Sequence, residues 1–116
     1  MGQLIYGAGT AYEIEDRMLA HVKAAVGAKL RRHESFYLSW SPNSNGIGRV
    51  TLWVSPASSL QFIFEEPVPP ELSRDWLDAL AQSSHSLRGM VIMTEEQAAE
   101  IIAQRDGRSS QGSSDL

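Results

Sequence analysis

The most constraining feature of this sequence is a two-residue alternation of apolar and polar side chains in its middle third. Every second residue is large and apolar across residues 36–40 and again across 50–54. Because successive side chains of a strand point to opposite faces, this period predicts two half-buried strands. Asn45-Gly46 lies between them and is typical of a tight hairpin turn. A third alternating run, Leu60 to Glu65, follows closely, so the short connections predict a three-strand antiparallel meander.

The residues before the meander predict a hairpin followed by a helix. Two β-prone runs, residues 3–6 and 11–15, flank a glycine-containing turn. Asp16 is a residue type favoured as an N-cap, and apolar residues then recur at helical spacing from Arg17 to Arg32. The helix is therefore predicted to begin after Asp16 and to bury one stripe of its surface.

The residues after the meander predict two further helices and one short strand. Ser73 caps a helix that runs to about Ser84, and residues 90–93 form an edge strand. The run Thr94-Glu95-Glu96-Gln97 matches a capping box, and the helix it opens is predicted to end at Gly107. Residues 107–116 are polar and are predicted to be a disordered tail.

Together these elements predict one α+β domain over residues 1–106. Its sheet is mainly antiparallel and consists of the N-terminal hairpin, the meander and the short edge strand. Two to three helices are expected to pack mostly on one face of that sheet.

Composition excludes several classes of protein. The sequence contains no cysteine, which rules out disulfides, cysteine-based metal sites and thiol catalysis. It has neither an apolar leader segment nor a run long enough to span a bilayer, so we expect a cytoplasmic protein without membrane association. Residues 1–58 carry six Lys/Arg against four Asp/Glu, whereas residues 59–116 carry four against ten. The net charge of −4 argues against non-specific binding to duplex nucleic acid.

No catalytic or metal-binding motif is recognisable. The three histidines, His21, His33 and His85, are far apart in sequence, and no serine lies in a nucleophile-elbow motif. Spacings typical of metal ligands or of phosphate-binding glycine loops are absent as well. We therefore expect no enzymatic activity, no cofactor and no metal. His21 lies beside the apolar stripe of the first helix and is interpreted as a histidine at the edge of the core.

Two groups of residues are candidates for binding a partner. The basic run Lys29-Leu30-Arg31-Arg32-His33 suits phosphates or an acidic partner, although its charges also complement the helix dipole. The second group is the outer face of the meander, where exposed aromatic rings beside an arginine can stack on bases. The last helix or a second subunit is the alternative cover for that face. The outer-face residues are Tyr37, Arg49, Thr51, Trp53, Gln61 and Ile63.

Several short strings stand out: Leu4-Ile5-Tyr6-Gly7, Asp16-Arg17 with Leu19-Ala20-His21, Lys29-Leu30-Arg31-Arg32, Glu34-Ser35-Phe36, Ser39-Trp40, Leu52-Trp53, Leu60-Gln61-Phe62, and Trp76 with Ala79-Leu80. Together they resemble a group of small actinobacterial proteins of unknown function that are commonly labelled "ATP-dependent DNA ligase". The resemblance spans about residues 3–80. Adenylating ligases use the lysine of a Lys-x-Asp-Gly motif, whereas Lys23 and Lys29 are not followed by that pattern. The label therefore implies kinship to an accessory segment and transfers no catalytic residue.

The sequence thus favours a non-catalytic adaptor that binds a protein partner or a second copy of itself. An accessory module that binds single-stranded nucleic acid is the alternative. A small enzyme of unrecognised type would require a pocket with several perturbed titratable groups. The residues expected to carry binding are Tyr37, Arg49, Trp53, Arg31 and Arg32.

Overall fold

The computed structural model describes residues 1–42 and 48–114, with six strands and three helices in these ranges. The α+β class and the mainly antiparallel pairing predicted from the sequence are confirmed. The strands are β1 (Gly2–Tyr6), β2 (Thr10–Ile14), β3 (Phe36–Trp40), β4 (Val50–Val54), β5 (Leu60–Ile63) and β6 (Met90–Val91). The helices are α1 (Asp16–Arg31), α2 (Arg74–Ser83) and α3 (Glu95–Ser114).

The strands form two three-stranded sheets. Sheet A has the order β2-β1-β5, and sheet B has the order β4-β3-β6. The N-terminal hairpin β1–β2 is confirmed, and so is the antiparallel pair β3–β4. The short edge strand β6 is also confirmed, and it runs parallel to β3. The predicted Asn45-Gly46 turn lies outside the described residues.

The pairing of β5 differs from the predicted meander. β5 pairs antiparallel with β1 in sheet A, whereas the meander placed it beside β4. The alternation of Leu60 to Ile63 identifies a strand but carries no information about its partner. Neighbouring strands in sequence pair only about two-thirds of the time, and the break at residues 55–59 allows β5 to cross to the other sheet.

The inner faces of both sheets and one side of α1 share a single core. Leu19, Val22 and Val26 of α1 are at most 1% exposed and belong to the same apolar cluster as residues from both sheets. The two sheets also touch directly, because the ring of Tyr12 packs edge-on against Trp40 with centroids 5.2 Å apart. The two sheets and α1 therefore share one core.

The start of α1 is capped by a different residue from the one predicted. Glu15 is the N-cap, and its carboxylate accepts a hydrogen bond of 2.7 Å from the amide of Met18. Asp16 is the first helical residue. Its carboxylate accepts hydrogen bonds from the amides of Glu65 and Glu66, the latter at 2.9 Å. These bonds lower the pKa of Asp16, chiefly through the Glu66 amide, and tie the chain after β5 to α1.

The caps of the other two helices match the sequence prediction. Ser73 is the N-cap of α2, and its hydroxyl accepts a hydrogen bond from the amide of Trp76. The capping box before α3 is formed in both directions. The Gln97 amide donates to the Thr94 hydroxyl at 3.1 Å, and the Gln97 side-chain oxygen accepts from the Thr94 amide at 2.9 Å.

Helix α3 extends beyond the end predicted for it. It continues through Gly107 to Ser114. A glycine ends a helix when it adopts a left-handed conformation, and Gly107 is not among the glycines with positive φ. Glycine within a helix lowers stability by about 1 kcal/mol but does not by itself break the helix. The single domain and the disordered tail stay predictions.

Gly89 is expected to be essential for the placement of β6. Its φ is 79°, and an added Cβ would overlap the backbone of Tyr37 in the neighbouring strand. We expect Gly89→Ala to lower the free energy of unfolding by at least about 2 kcal/mol in a urea titration, from backbone strain plus the overlap. Gly7→Ala is the matched control, because Gly7 has a φ of 67° but open space around it. An equal loss at both positions would contradict the overlap.

The Asp16 carboxylate predicts how stability depends on pH. A carboxyl group whose pKa is lowered in the folded state stabilises that state above its unfolded pKa and loses this effect as pH falls through the folded pKa. We therefore expect Asp16→Asn to lower stability at neutral pH and to flatten the decline below about pH 4, measured by thermal unfolding across pH. Asp78→Asn serves as the control, because Asp78 accepts no hydrogen bond within the described residues. A parallel pH profile for wild type and Asp16→Asn would exclude this role.

Candidate functional site

The outer face of sheet B carries an exposed aromatic pair. Tyr37 of β3 lies directly opposite Trp53 of β4. Their rings pack edge to face, with centroids 5.1 Å apart and an interplanar angle of 67°. Tyr37 is 48% exposed and Trp53 is 50% exposed. Such cross-strand pairs favour the sheet, but about half of each side chain remains available to a partner.

An open groove of about 1250 Å³ adjoins the aromatic pair. Tyr37 lines it together with Arg49, Arg88 and the fully exposed Leu87. Neither arginine forms an ion pair with another described residue. Beneath them the Ser39 hydroxyl lies 3.1 Å from that of Thr51, which satisfies both polar groups. The groove therefore combines an aromatic wall with two arginines that form no ion pair within the described part of the chain.

The structure divides the predicted outer face between the two sheets. Tyr37, Arg49 and Trp53 lie on or beside sheet B, whereas Ile63 belongs to β5 of sheet A and is 46% exposed there. The last helix, one of the two alternative covers for this face, does not bury the aromatic pair. Ala98 and Ile102 of α3 join the core, and both aromatic rings remain half exposed.

The basic run Lys29–His33 forms the C-terminal end of α1. The amide of Glu34 donates to the Lys29 carbonyl and that of His33 donates to the Leu30 carbonyl, while His33 has a φ of 60°. This pattern is a Schellman motif with histidine in the left-handed position. The Lys29 ammonium lies 2.9 Å from the Glu34 carboxylate and holds the pKa of that carboxyl below its usual value.

The two predicted arginines of this run do not join the aromatic pair. Arg32 lies 3.9 Å from the Glu34 carboxylate. Arg31 lines a different groove, of about 890 Å³, between α1 and β5. Tyr37 and Arg49 share one groove, and Arg31 faces another. The sequence did not reveal this second groove, because it exists only when β5 pairs with β1.

His21 is buried in the core and holds two helices together. It is 0% exposed, so its position at the edge of the core was predicted wrongly. The Ser73 amide donates to its Nε2 at 2.8 Å, and its Nδ1 therefore donates to the Arg17 carbonyl at 2.7 Å. The ring also stacks on Trp76 with centroids 4.1 Å apart. These contacts link α1 to the start of α2 and leave His21 no open approach.

The comparisons with known proteins identify one family. A family profile described as a domain of unknown function, DUF7882, matches residues 1–95.

The chain belongs to this family.

The matched region contains the aromatic pair, the strands that line the two grooves and most of the core. The description of the family assigns no activity. No curated protein and no solved structure matches the chain. Among the described residues of this DUF7882 member, no three His, Asp or Glu side chains are grouped to hold a metal ion. None of its described helices has the length and apolar character needed to cross a membrane.

The Schellman motif predicts a stabilising substitution. A non-glycine residue in the left-handed conformation costs about 1–2 kcal/mol, and glycine avoids most of that cost. We expect His33→Gly to raise the free energy of unfolding by about 1 kcal/mol in chemical denaturation. Ser35→Gly is the control, because Ser35 lacks a positive φ and gains only flexibility in the unfolded state. If His33→Gly instead lowers stability as much as the control does, the histidine ring contributes contacts beyond the cap.

Proposed function

We propose that this chain is a cytoplasmic, non-catalytic binding domain that associates with a protein surface through the outer face of β3 and β4. A second copy of the chain is the partner proposed first. The observation that carries the proposal is the half-exposed pair of Tyr37 and Trp53. Tryptophan, tyrosine and arginine are the residue types that contribute most binding energy in protein interfaces.

The surroundings of the pair support association with a partner. Arg49 and Arg88 line the adjoining groove beside Tyr37, and Leu87 extends the apolar part of the patch. An aromatic centre with a polar and charged rim is the usual arrangement of a protein interface.

A module for single-stranded nucleic acid is the second candidate. Its support is the groove that holds Tyr37 with two arginines, since rings and guanidinium groups both stack on bases. Two observations weaken the nucleic-acid candidate. Arg31 and Arg32 lie away from this groove, and the net charge of the chain is −4. The protein partner is therefore preferred.

Sedimentation of the full chain from low to high micromolar concentration tests self-association. We expect a concentration-dependent dimer whose dissociation constant rises at least about tenfold in Trp53→Ala, because truncating a central interface tryptophan removes about 1.4 kcal/mol or more. Ile63→Ala is the matched control, since Ile63 is 46% exposed but lies on sheet A. Circular dichroism confirms that both variants fold.

Two results would contradict the proposal in different ways. A wild-type chain that stays monomeric throughout the range rules out the second copy as partner. Salt-sensitive binding of a labelled oligothymidine, lost in Trp53→Ala, would assign the same face to nucleic acid instead.

A further inference from the structure

The groove between α1 and β5 lies on the inner side of sheet A and involves none of the residues of the aromatic pair. Its volume is about 890 Å³, and most of its wall is apolar. On the strand side it is lined by Leu60, Phe62 and Phe64, and on the helix side by Ala24 and Gly27. The small helix residues keep α1 from filling the space beside the strand.

The outer edge of β5 presents unpaired backbone groups to this groove. The Gly7 amide donates to the Ser59 carbonyl at 2.9 Å, which makes those two residues a hydrogen-bonded pair of the β1–β5 ladder. Hydrogen-bonded and non-hydrogen-bonded pairs alternate along an antiparallel ladder. The N–H and C=O groups of Leu60 and Phe62 therefore point away from β1. Within the described part of the chain they meet no partner.

The outer edge of β4, in sheet B, has a hydrogen-bond partner within the protein. The Tyr6 hydroxyl donates a hydrogen bond of 2.6 Å to the Trp53 carbonyl, so a side chain of the protein already occupies that edge. Proteins commonly block exposed edges in this way to prevent strand addition. No described residue forms such a hydrogen bond to the edge of β5, and an apolar groove, lined also by residues 66–70 of the segment after β5, runs beside it.

The charges along the groove define the chemistry of an occupant. Lys23 and Arg31 lie along its α1 side, and neither forms an ion pair with a described residue. The Lys23 ammonium lies 5.8 Å from the ring centre of Phe64, directly above the apolar wall. At the other end the groove is lined by three carboxylates. Asp16 accepts from the amides of Glu65 and Glu66, Glu15 accepts from the amide of Met18, and Glu66 lies beside Asp16. An occupant with acidic side chains beside Lys23 and Arg31 complements this arrangement.

We propose that this groove binds an extended acidic peptide of a partner protein, which adds to the free edge of β5 as a fourth strand of sheet A. The backbone of the peptide pairs with the outward N–H and C=O groups of Leu60 and Phe62. Alternate apolar side chains fill the space beside Ala24 and Gly27, and acidic side chains reach Lys23 or Arg31. Main-chain hydrogen bonds supply affinity in such strand addition, and the side-chain pockets supply selectivity.

Three labelled peptides and the full-length chain test the proposal by fluorescence anisotropy. The first alternates valine with glutamate, the second alternates valine with lysine, and the third is the glutamate peptide with its backbone amides N-methylated. We expect saturable binding of the glutamate peptide, and binding at least about tenfold weaker for the other two. Hydrogen exchange should slow at the amides of Leu60 and Phe62 when the glutamate peptide is bound.

Two pairs of variants locate the binding site. Gly27→Leu should fill the groove and abolish binding, whereas Gly107→Leu should not, although both glycines lie in helices with open space at Cβ. Folding is not at risk, because leucine favours a helix more than glycine does. Arg31→Glu should reverse the preference between the glutamate and lysine peptides, and Arg32→Glu, which lies outside the groove, should leave it unchanged.

The negative results are distinct. Equal binding of the N-methylated peptide excludes strand addition. Binding of decanoate without binding of any peptide would assign the groove to small aliphatic acids, and no binding of any probe would reject it as a docking site. None of these results bears on Trp53, so the two proposals stand or fall separately.

Discussion

The fold depends on one constraint: two small sheets must bury their inner faces in the same core. A sheet of three short strands is stable only when its apolar face packs on another element. Here Leu19, Val22 and Val26 of α1 supply that surface to a core that both sheets share. His21, on the same helix, joins the core to α2 through the amide of Ser73. Because both sheets share this core, neither sheet is an independent unit.

Much of this arrangement follows from local sequence patterns. The periods of two and 3.6, the Ser73 cap and the Thr94–Gln97 capping box identified the elements and several of their ends, because these signals arise from neighbouring residues. The exposure of Tyr37 and Trp53 also follows from the period of β3 and β4. The partner of β5 does not, since pairing between strands distant in sequence depends on tertiary packing. The same limit explains Asp16, a suitable cap residue that instead binds the amides after β5.

The error in β5 pairing concealed the groove beside α1. In the predicted meander, β5 pairs with β4, and no strand then lies opposite Gly27 of α1. Once β5 joins β1, the groove and its free edge appear together. The five predicted binding residues consequently fall on separate surfaces, with Arg31 in the α1–β5 groove and Tyr37 beside Arg49 in the other. The molecule presents two chemically different faces, one aromatic with arginines and one apolar with an open strand edge.

The crossing of β5 from the neighbourhood of β4 to that of β1 also bears on the order of events in folding. Sheet A lacks its third strand until the chain has already passed through β3 and β4 of sheet B, and sheet B waits for β6 from still later in the sequence. Each sheet is completed by a segment that lies beyond the other. Such interleaving raises the mean sequence separation of native contacts, which slows folding and couples the two sheets in a single cooperative transition. During synthesis on the ribosome, the first half of the chain therefore leaves the tunnel with both of its sheets unfinished.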